Sequence, residues 1–382
     1  MPYCVPYIML ICLYAVLGYL RSRCTDGQQK VYLDVASLAL FVVFFGLRGF
    51  VLTDWMNYYP YYVSLEWSEV FNFFIPGEWG MEPGFALLTA FCGTISGHNF
   101  IFFQFVVVCI ILACVYSFMR RYTDNVAISL MVMLAFGGIG IICNLMRNSL
   151  AISIFLLAIP YIEQRKPLQF VLICLLSASF HVSTLVYFPL YFFLHLFPSR
   201  WVYLAVFVVI NAAFIMRFSV VDTLLEMIGL SGEAAIKADV YTGKTTQSLS
   251  VFTLGYMERL FTGTLIILYH DKLKELHHGS GVIVNGVFLY IAVFFFFSQY
   301  DVLSQRFSFL FVFGYWIVWL DIMRCLYYTD NRRLMMAFVV LYAILHTKAL
   351  YNTADHYYEN VLTGAMSYNE RLYFHSRNFR EM

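Results

Sequence analysis

Two short polar interruptions of long apolar runs, one around Arg147 and the other around His181, hold the side chains best suited to chemistry. A charged group or an imidazole in such a place is costly, and it usually faces a bundle interior or a wet cavity where it has a function. A third polar stretch supplies Arg48 and, shortly after it, Asp54. Arginines, an acid and a histidine at the ends of membrane spans indicate chemistry on an anionic substrate at the bilayer surface.

The sequence that follows Arg147, Asn-Ser-Leu-Ala, predicts the start of a helix. The exposed N–H groups of a helix N-terminus and a guanidinium together form an anion site. The alternative is an arginine whose side chain only extends to the outer lipid headgroups.

His181 lies between Phe180 and Val182, far along the sequence from any charge. An imidazole in this position can act as a base towards a sugar hydroxyl or, when protonated, bind phosphate. The alternative is a neutral histidine that only forms a hydrogen bond with a neighbouring helix.

Arg48 and Asp54 stand on either side of the end of a predicted span. Such a pair can simply fix the helix end; otherwise Arg48 binds a phosphate while Asp54 serves as a base or orients the acceptor. Arg306, which precedes the apolar run 307–320, is a further arginine predicted at the same membrane face.

Aromatic residues are dense after Asp54 and include Trp55, Tyr58 and Tyr59. They are typical of an interfacial belt, and the same rings can also stack on sugars. The nine cysteines include no Cys-x-x-Cys pair and are interpreted as small apolar side chains. We predict no metal ion and no other cofactor.

Composition restricts the fold class to a membrane protein. Hydrophobic residues make up 61% of the chain and charged residues 12%, whereas soluble domains carry roughly 25% charge. We predict an all-α polytopic integral membrane protein with one transmembrane domain, 1–350, and a polar C-terminal tail, 351–382. The net charge of +1 gives no reason to propose a nucleic acid as a partner.

About 10 to 13 transmembrane helices are predicted, because crossing the hydrocarbon takes about 20 apolar residues. The apolar runs are 3–20, 31–51, 99–119, 126–143, 148–163, 168–196, 201–217, 251–269, 282–299, 307–326 and 334–350, with a shorter run at 83–97. The run 168–196 is long for one span and contains His181, so it forms either two short helices or one tilted helix. The run 83–97 is short and contains glycines, which indicates a re-entrant or interfacial helix.

Lysines and arginines in short loops predict the orientation of these spans. The basic clusters at 21–30, 120–121, 165–166, 272–274 and 324–333 are assigned to the cytoplasm. This orientation places the loops 52–82 and 218–250 outside, together with Arg147 and His181 at the outer ends of their spans.

Taken in order, these motifs resemble the EpsG family, a branch of the Wzy-type polysaccharide polymerases. The matching stretches are Gly-Leu-Arg at 46–48, Thr-Asp-Trp-x-Asn-Tyr-Tyr at 53–59, Glu-Pro-Gly-Phe at 82–85, Met-Arg-Asn-Ser-Leu-Ala at 146–151 and Ser-Phe-His-Val-Ser at 179–183. The polar tail has no counterpart in that pattern.

The resemblance implies a multi-pass glycosyltransferase similar in architecture to the helical, GT-C-like enzymes that use lipid-linked donors. Its substrate would be an undecaprenyl-diphosphate-linked oligosaccharide at the outer face of a bacterial plasma (inner) membrane, with the active site facing the periplasm or cell exterior. The product would be O-antigen, capsule or exopolysaccharide, and a chain-length regulator is a further expected partner besides the lipid bilayer.

Each candidate residue receives a role on this basis. His181 and Asp54 are the predicted catalytic residues. Binding of the diphosphate is assigned to Arg48, Arg147 and Arg306. Contacts with sugars are assigned to Trp55, Tyr58, Tyr59 and Glu82.

Two other classes of protein use similar features. A transporter or flippase of lipid-linked glycan often shows repeats and broken helices near the midplane, but the two halves of this sequence show no convincing similarity. A membrane O-acyltransferase that modifies a surface glycan also uses a histidine in an apolar span, yet no second histidine motif stands out.

Overall fold

The computed structural model describes residues 2–70, 81–218, 253–277 and 279–379. Within these ranges the chain is helical, with isolated β-bridges in place of any strand, which confirms the all-α class. The chain divides into two compact units, the first comprising Met1–Tyr191 with Arg333–Met382 and the second Phe192–Arg332. Most of the predicted external loop 218–250 lies outside the described residues.

The first eleven α-helices that the structure describes belong to the first unit, although the last of them crosses the boundary at residue 192. They are α1 Val5–Arg23, α2 Gly27–Phe41 with a π-helical end Val42–Gly46, α3 Trp55–Ser64, α4 Pro83–Ser96, α5 Phe100–Tyr122, α6 Val126–Met133, α7 Ile139–Asn144, α8 Met146–Leu156, α9 Ile159–Glu163, α10 Pro167–Ala178 and α11 Leu190–Phe193. In the second unit lie α12 Arg200–Ile215, α13 Leu254–Leu268, α14 His270–Leu276, α15 Ser280–Phe296, α16 Asp301–Phe309 and α17 Tyr315–Cys325. Helix α18, Thr329–Leu350, leads back to the first unit, which ends with α19, Tyr368–Phe379.

Among the described residues, six helical segments are long and apolar enough to cross a membrane: Val5–Arg23, Gly27–Gly46, Phe100–Tyr122, Val126–Asn144, Met146–Glu163 and Thr329–Leu350. Five shorter apolar helices accompany them: Pro83–Ser96, Pro167–Ala178, Val182–Phe193, Arg200–Ile215 and Ser280–Phe296. The polytopic character is therefore confirmed, while the count of 10 to 13 spans stays a prediction.

At one end of the first unit, three arginines lie around two carboxylates. Arg21 lies 2.6 Å and Arg120 3.7 Å from the carboxylate of Asp34. Arg121 forms a 2.7 Å ion pair with Glu163. Three of the clusters that were assigned to the cytoplasm thus share one end of this unit, which we call the basic end.

Two of the candidate residues, Arg48 and Arg147, lie at the opposite end, which we call the site end. Helix α5 leads from Arg121 at the basic end to Gln104, whose amide donates to the Arg48 carbonyl at 3.2 Å. Helices α9 and α8 likewise lead from Glu163 to Arg147. Arg48 and Arg147 therefore lie at the same end of the unit.

Helix α4 begins and ends at the site end. Near its start, the N–H of Gly84 donates to the Ser179 carbonyl at 2.7 Å. At its last residue, the Ser96 hydroxyl is 2.8 Å from the Tyr62 hydroxyl of α3. Its 14 residues span about 21 Å, less than the hydrocarbon thickness of about 30 Å. This geometry supports the re-entrant or interfacial helix predicted for 83–97.

The long apolar run 168–196 forms a hairpin. Helix α10 ends just before His181, which is extended (φ −158°, ψ 120°), and the 3₁₀-helix Val182–Tyr187 follows. At the end of the hairpin away from His181, Arg165 donates to the Tyr191 carbonyl at 2.6 Å. The first leg therefore starts at the basic end, and the second leg returns to it. Of the two alternatives, two short helices is correct, and His181 lies at the tip.

The predicted run 307–326 in the second unit does not form one continuous helix. Helix α16 ends at Phe309, and a 3₁₀ turn separates it from the 11-residue α17. A Cβ at Gly314 would lie 2.6 Å from the Ile283 carbonyl oxygen, so close packing on α15 accompanies the break. Arg306 therefore lies in the last turn of α16, where it is exposed, and not at the start of a helix.

Candidate functional site

One carboxylate, that of Glu82, joins three segments at the site end. Its Oε2 accepts a hydrogen bond from Arg147 at 2.8 Å, and its Oε1 lies 2.7 Å from Nδ1 of His181. The N–H of Val182 also donates to Oε1, at 3.2 Å. The side chains of Glu82, Arg147 and His181 are 14%, 24% and 27% exposed, so the cluster is partly shielded from solvent.

Local sequence explains how Glu82 reaches His181. Pro83 is the first residue of α4, a position that proline favours, so Glu82 stands at the helix start. At Gly84 an added Cβ would lie 2.4 Å from the Ser179 hydroxyl and 2.8 Å from its carbonyl oxygen. Glycine is therefore required here for α4 to contact the hairpin tip.

Arg147 is the second residue of α8, which confirms the predicted helix start. Its Nε lies 3.4 Å from the Tyr58 hydroxyl, and its guanidinium stands 5.9 Å from the centre of that ring. The guanidinium thus belongs to the first turn of a helix, whose positive end favours an anionic ligand.

The electrostatics of the cluster determine which atoms carry protons. Burial raises the pKa of the Glu82 carboxyl, but the His181 hydrogen bond and the Arg147 charge outweigh it and lower that pKa to about 2. An ionised carboxylate can only accept, so Nδ1 of His181 must donate to it. In a neutral imidazole, Nε2 is then the acceptor and is available as a base.

Asp54 belongs to the same neighbourhood through Asn144 and Tyr58. The Asn144 Oδ1 accepts from the backbone N–H of Thr53 at 3.2 Å and of Asp54 at 3.0 Å. Burial raises the pKa of Tyr58, the Arg147 charge lowers it, and the Asp54 charge raises it. The loop before α3 is thereby fixed to the turn before α8.

Arg48 has a different environment from Arg147. It is only 2% exposed, and its guanidinium donates to the carbonyls of Phe45 and, at 3.2 Å, Ile142. These bonds connect the end of α2 to α7. The geometry therefore supports a structural part for Arg48 and gives no support to diphosphate contact.

Two of the aromatic rings predicted to stack on sugars form contacts within the protein. Trp55 is buried, and its indole N–H donates to the Leu52 carbonyl at 2.6 Å. Tyr59 stacks on Tyr368 with ring centres 4.2 Å apart. Of the predicted set, Tyr58 and Glu82 are the residues that contact Arg147.

Sequence reasoning missed the central position of Glu82. The available signal was an acid placed directly before a proline that opens an apolar helix.

Sequence reasoning also missed the buried Glu258 and Arg259 in α13, although two charges within an apolar stretch are the signal that identified Arg147. Thr262 donates to Glu258 at 2.7 Å and Arg259 donates to Tyr290 at 2.6 Å, so both charged side chains have polar partners within the protein.

Comparison with known proteins gives the family. The model of the EpsG family matches residues 31–363, most of the chain. The chain belongs to the EpsG family. The EpsG family is of the Wzy-like polymerase type, which indicates a polymerase-like membrane protein of polysaccharide biosynthesis. The EpsG match includes Glu82, Arg147 and His181 and ends before α19. No curated protein and no solved structure matches the chain.

Proposed function

We propose that this chain is a glycosyltransferase that polymerises undecaprenyl-diphosphate-linked oligosaccharide repeat units into a bacterial surface polysaccharide. Membership of the EpsG family supports the class of reaction. The observation that carries the site is the single carboxylate of Glu82, which holds both Arg147 and His181. One of these two side chains suits a diphosphate and the other suits a hydroxyl.

Arg147 binds the diphosphate of the donor in this proposal. A guanidinium at a helix N-terminus offers bidentate hydrogen bonds and a positive potential to phosphate oxygens. The negative charge that develops on the leaving diphosphate is then stabilised where it forms. Arg48 supports this site by holding the backbone, and Arg306 stays a separate prediction.

His181 takes the proton from the attacking hydroxyl through Nε2, while Glu82 keeps Nδ1 protonated. The hydroxyl oxygen of one repeat unit attacks the anomeric carbon of another. The bond from that carbon to the diphosphate oxygen breaks, and the leaving lipid diphosphate keeps the electron pair. Asp54, fixed beside this cluster by Asn144, is the alternative base.

The site faces the periplasm or cell exterior in this proposal. The cluster lies at the site end, opposite the basic end that carries Arg21, Arg120 and Arg121. Arginine-rich loops favour the cytoplasmic side of a bacterial plasma membrane. External lipid-linked units are then accessible to Arg147 and His181.

Purified protein supplied with lipid-linked repeat units tests the roles of these residues. Arg147→Ala and His181→Gln should each lose about 10²–10³-fold or more in the rate of polymer formation. The matched control, Arg121→Ala, removes an arginine at the basic end and should keep its activity. Full-length polymer from Arg147→Ala protein that accumulates normally would contradict the proposed diphosphate contact.

A deletion strain separates polymerase from transporter. Loss of all glycan longer than one repeat unit is the result expected for a polymerase. Loss of all surface glycan would instead favour a flippase, and loss of acyl groups with normal chain lengths would favour an O-acyltransferase.

A further inference from the structure

The predicted polar tail is a folded part of the first unit. We call residues 351–379 the clamp and residues 47–54 the site loop. The two are joined by three backbone hydrogen bonds, from Gly49 to Glu359 at 2.9 Å, from Val361 to Leu47 at 2.9 Å and from Leu52 to Asp355 at 2.8 Å. Helix α19, the last part of the clamp, lies beyond the residues that the family model matches.

The site loop contains a strained residue at the point where the clamp holds it. Leu52 has φ +64°, in the left-handed region that costs a residue with a Cβ about 1–2 kcal/mol. Such a conformation persists only where its surroundings impose it. The N–H of Leu52 donates to the Asp355 carbonyl, and the next two residues, Thr53 and Asp54, donate to Asn144.

Arg371 connects α19 to the turn that holds Leu52. It is 1% exposed, and its Nη2 donates to the carbonyls of Asp355 at 3.2 Å and Tyr357 at 3.3 Å. Its guanidinium lies 5.4 Å from the ring centre of Tyr357 and 5.0 Å from that of Phe374. The carbonyl of Asp355 thus accepts from both α19 and the site loop.

Tyr368 forms a second connection, at the first residue of α19. Its ring stacks on Tyr59 at 4.2 Å with the planes 12° apart, and it contacts the edge of Trp55 at 5.5 Å. Both partners belong to α3, the helix that follows the site loop. The clamp therefore contacts the site loop before Asp54 and helix α3 after it.

We infer that α19 is a positioning element: through Arg371 and Asp355 it holds the site loop so that Asp54 and Asn144 stand beside Arg147. The inference goes beyond the proposed reaction, because it rests on backbone contacts and not on the identity of the substrate. It assigns a role to a segment outside the family match.

Cross-linking tests the contact without any activity assay. In a background with all nine cysteines replaced, Gly49→Cys is combined with Ala365→Cys. A Cβ at Gly49 would lie 3.3 Å from the Ala365 Cβ, close to the disulfide range of about 3.5–4.5 Å. Oxidised membranes should contain the disulfide-linked peptides, with none from either single variant. Absence of the disulfide would overturn the inference.

Arg371→Met tests the positioning role, with the exposed Arg377→Met as the matched control. Loss of both carbonyl contacts should raise the labelling rate of a cysteine placed at Thr53 roughly tenfold or more and lower polymer formation by a similar factor. In the Gly49→Cys, Ala365→Cys background, oxidation should restore the activity of Arg371→Met, and reduction should remove it again. Wild-type labelling in Arg371→Met, or disulfide formation without restored activity, would overturn the inference.

Discussion

The substitution Glu82→Gln tests the arrangement of the site most sharply, because it changes charge with almost no change of shape. The carboxylate accepts from His181 and Val182 through one oxygen and from Arg147 through the other. An amide has one acceptor and one donor end. In either orientation its NH₂ group therefore faces a donor, either Arg147 or the pair formed by His181 and Val182.

We expect Glu82→Gln to lower kcat strongly. Each charge-assisted bond to the carboxylate, at 2.7 and 2.8 Å, is worth about 1.5–3 kcal/mol. If the amide NH₂ faces His181, the imidazole adopts the tautomer with Nε2 protonated, and that atom no longer accepts a proton. Replacing the orienting acid of a catalytic triad in this way costs about 10⁴-fold, so we expect about 10³–10⁴-fold here, or ~4–5.5 kcal/mol.

The assay measures polymer formation by purified protein from lipid-linked repeat units under saturating conditions. Glu66→Gln is the matched control, because Glu66 is an exposed acid in the segment after α3. Glu66→Gln should behave as wild type, and thermal unfolding should show that Glu82→Gln is folded. A Glu82→Gln enzyme with kcat within about threefold of wild type would refute the proposed role of the Glu82 carboxylate in holding Arg147 and His181 for the reaction.

Three further predictions concern packing, pH and sidedness. Gly84→Ala puts a Cβ 2.4 Å from the Ser179 hydroxyl and should destabilise the protein by about 1–3 kcal/mol in thermal unfolding, whereas Gly27→Ala, which meets nothing within 4 Å, should not. Burial lowers the pKa of His356 to about 4. Between pH 6.5 and 4 the unfolded clamp therefore binds more protons than the folded clamp does. The clamp should therefore lose up to about 1.4 kcal/mol of stability per pH unit as pH falls through this window, an effect that His356→Gln removes in unfolding measurements at pH 7 and 5. A cysteine at Tyr373, which is 69% exposed, should react with a membrane-impermeant reagent added outside whole cells, and reaction only after permeabilisation would contradict the orientation.

Local sequence patterns predicted the long helices because span length and apolar content are local properties. The predicted runs 99–119 and 126–143 correspond to Phe100–Tyr122 and Val126–Asn144 in the structure. The helix start at Arg147 was also predictable, since it depends on neighbouring residues.

Contacts between distant parts of the chain could not be predicted in the same way. Glu82 lies 65 positions from Arg147 and 99 from His181, and no local pattern connects the three. The break before Gly314 depends on packing against α15, and the burial of Arg48 depends on where α7 ends. These features follow from tertiary structure.

The most direct test of the proposed function uses wild-type protein, purified and supplied with one lipid-linked repeat unit in detergent or vesicles. We predict a ladder of lipid-linked products, with one lipid diphosphate released for each new linkage. Arg147→Ala should slow formation of the ladder about 10²–10³-fold, and Glu82→Gln should slow it about 10³–10⁴-fold. Movement of the repeat unit across vesicle membranes without any new linkage or released lipid diphosphate would contradict it.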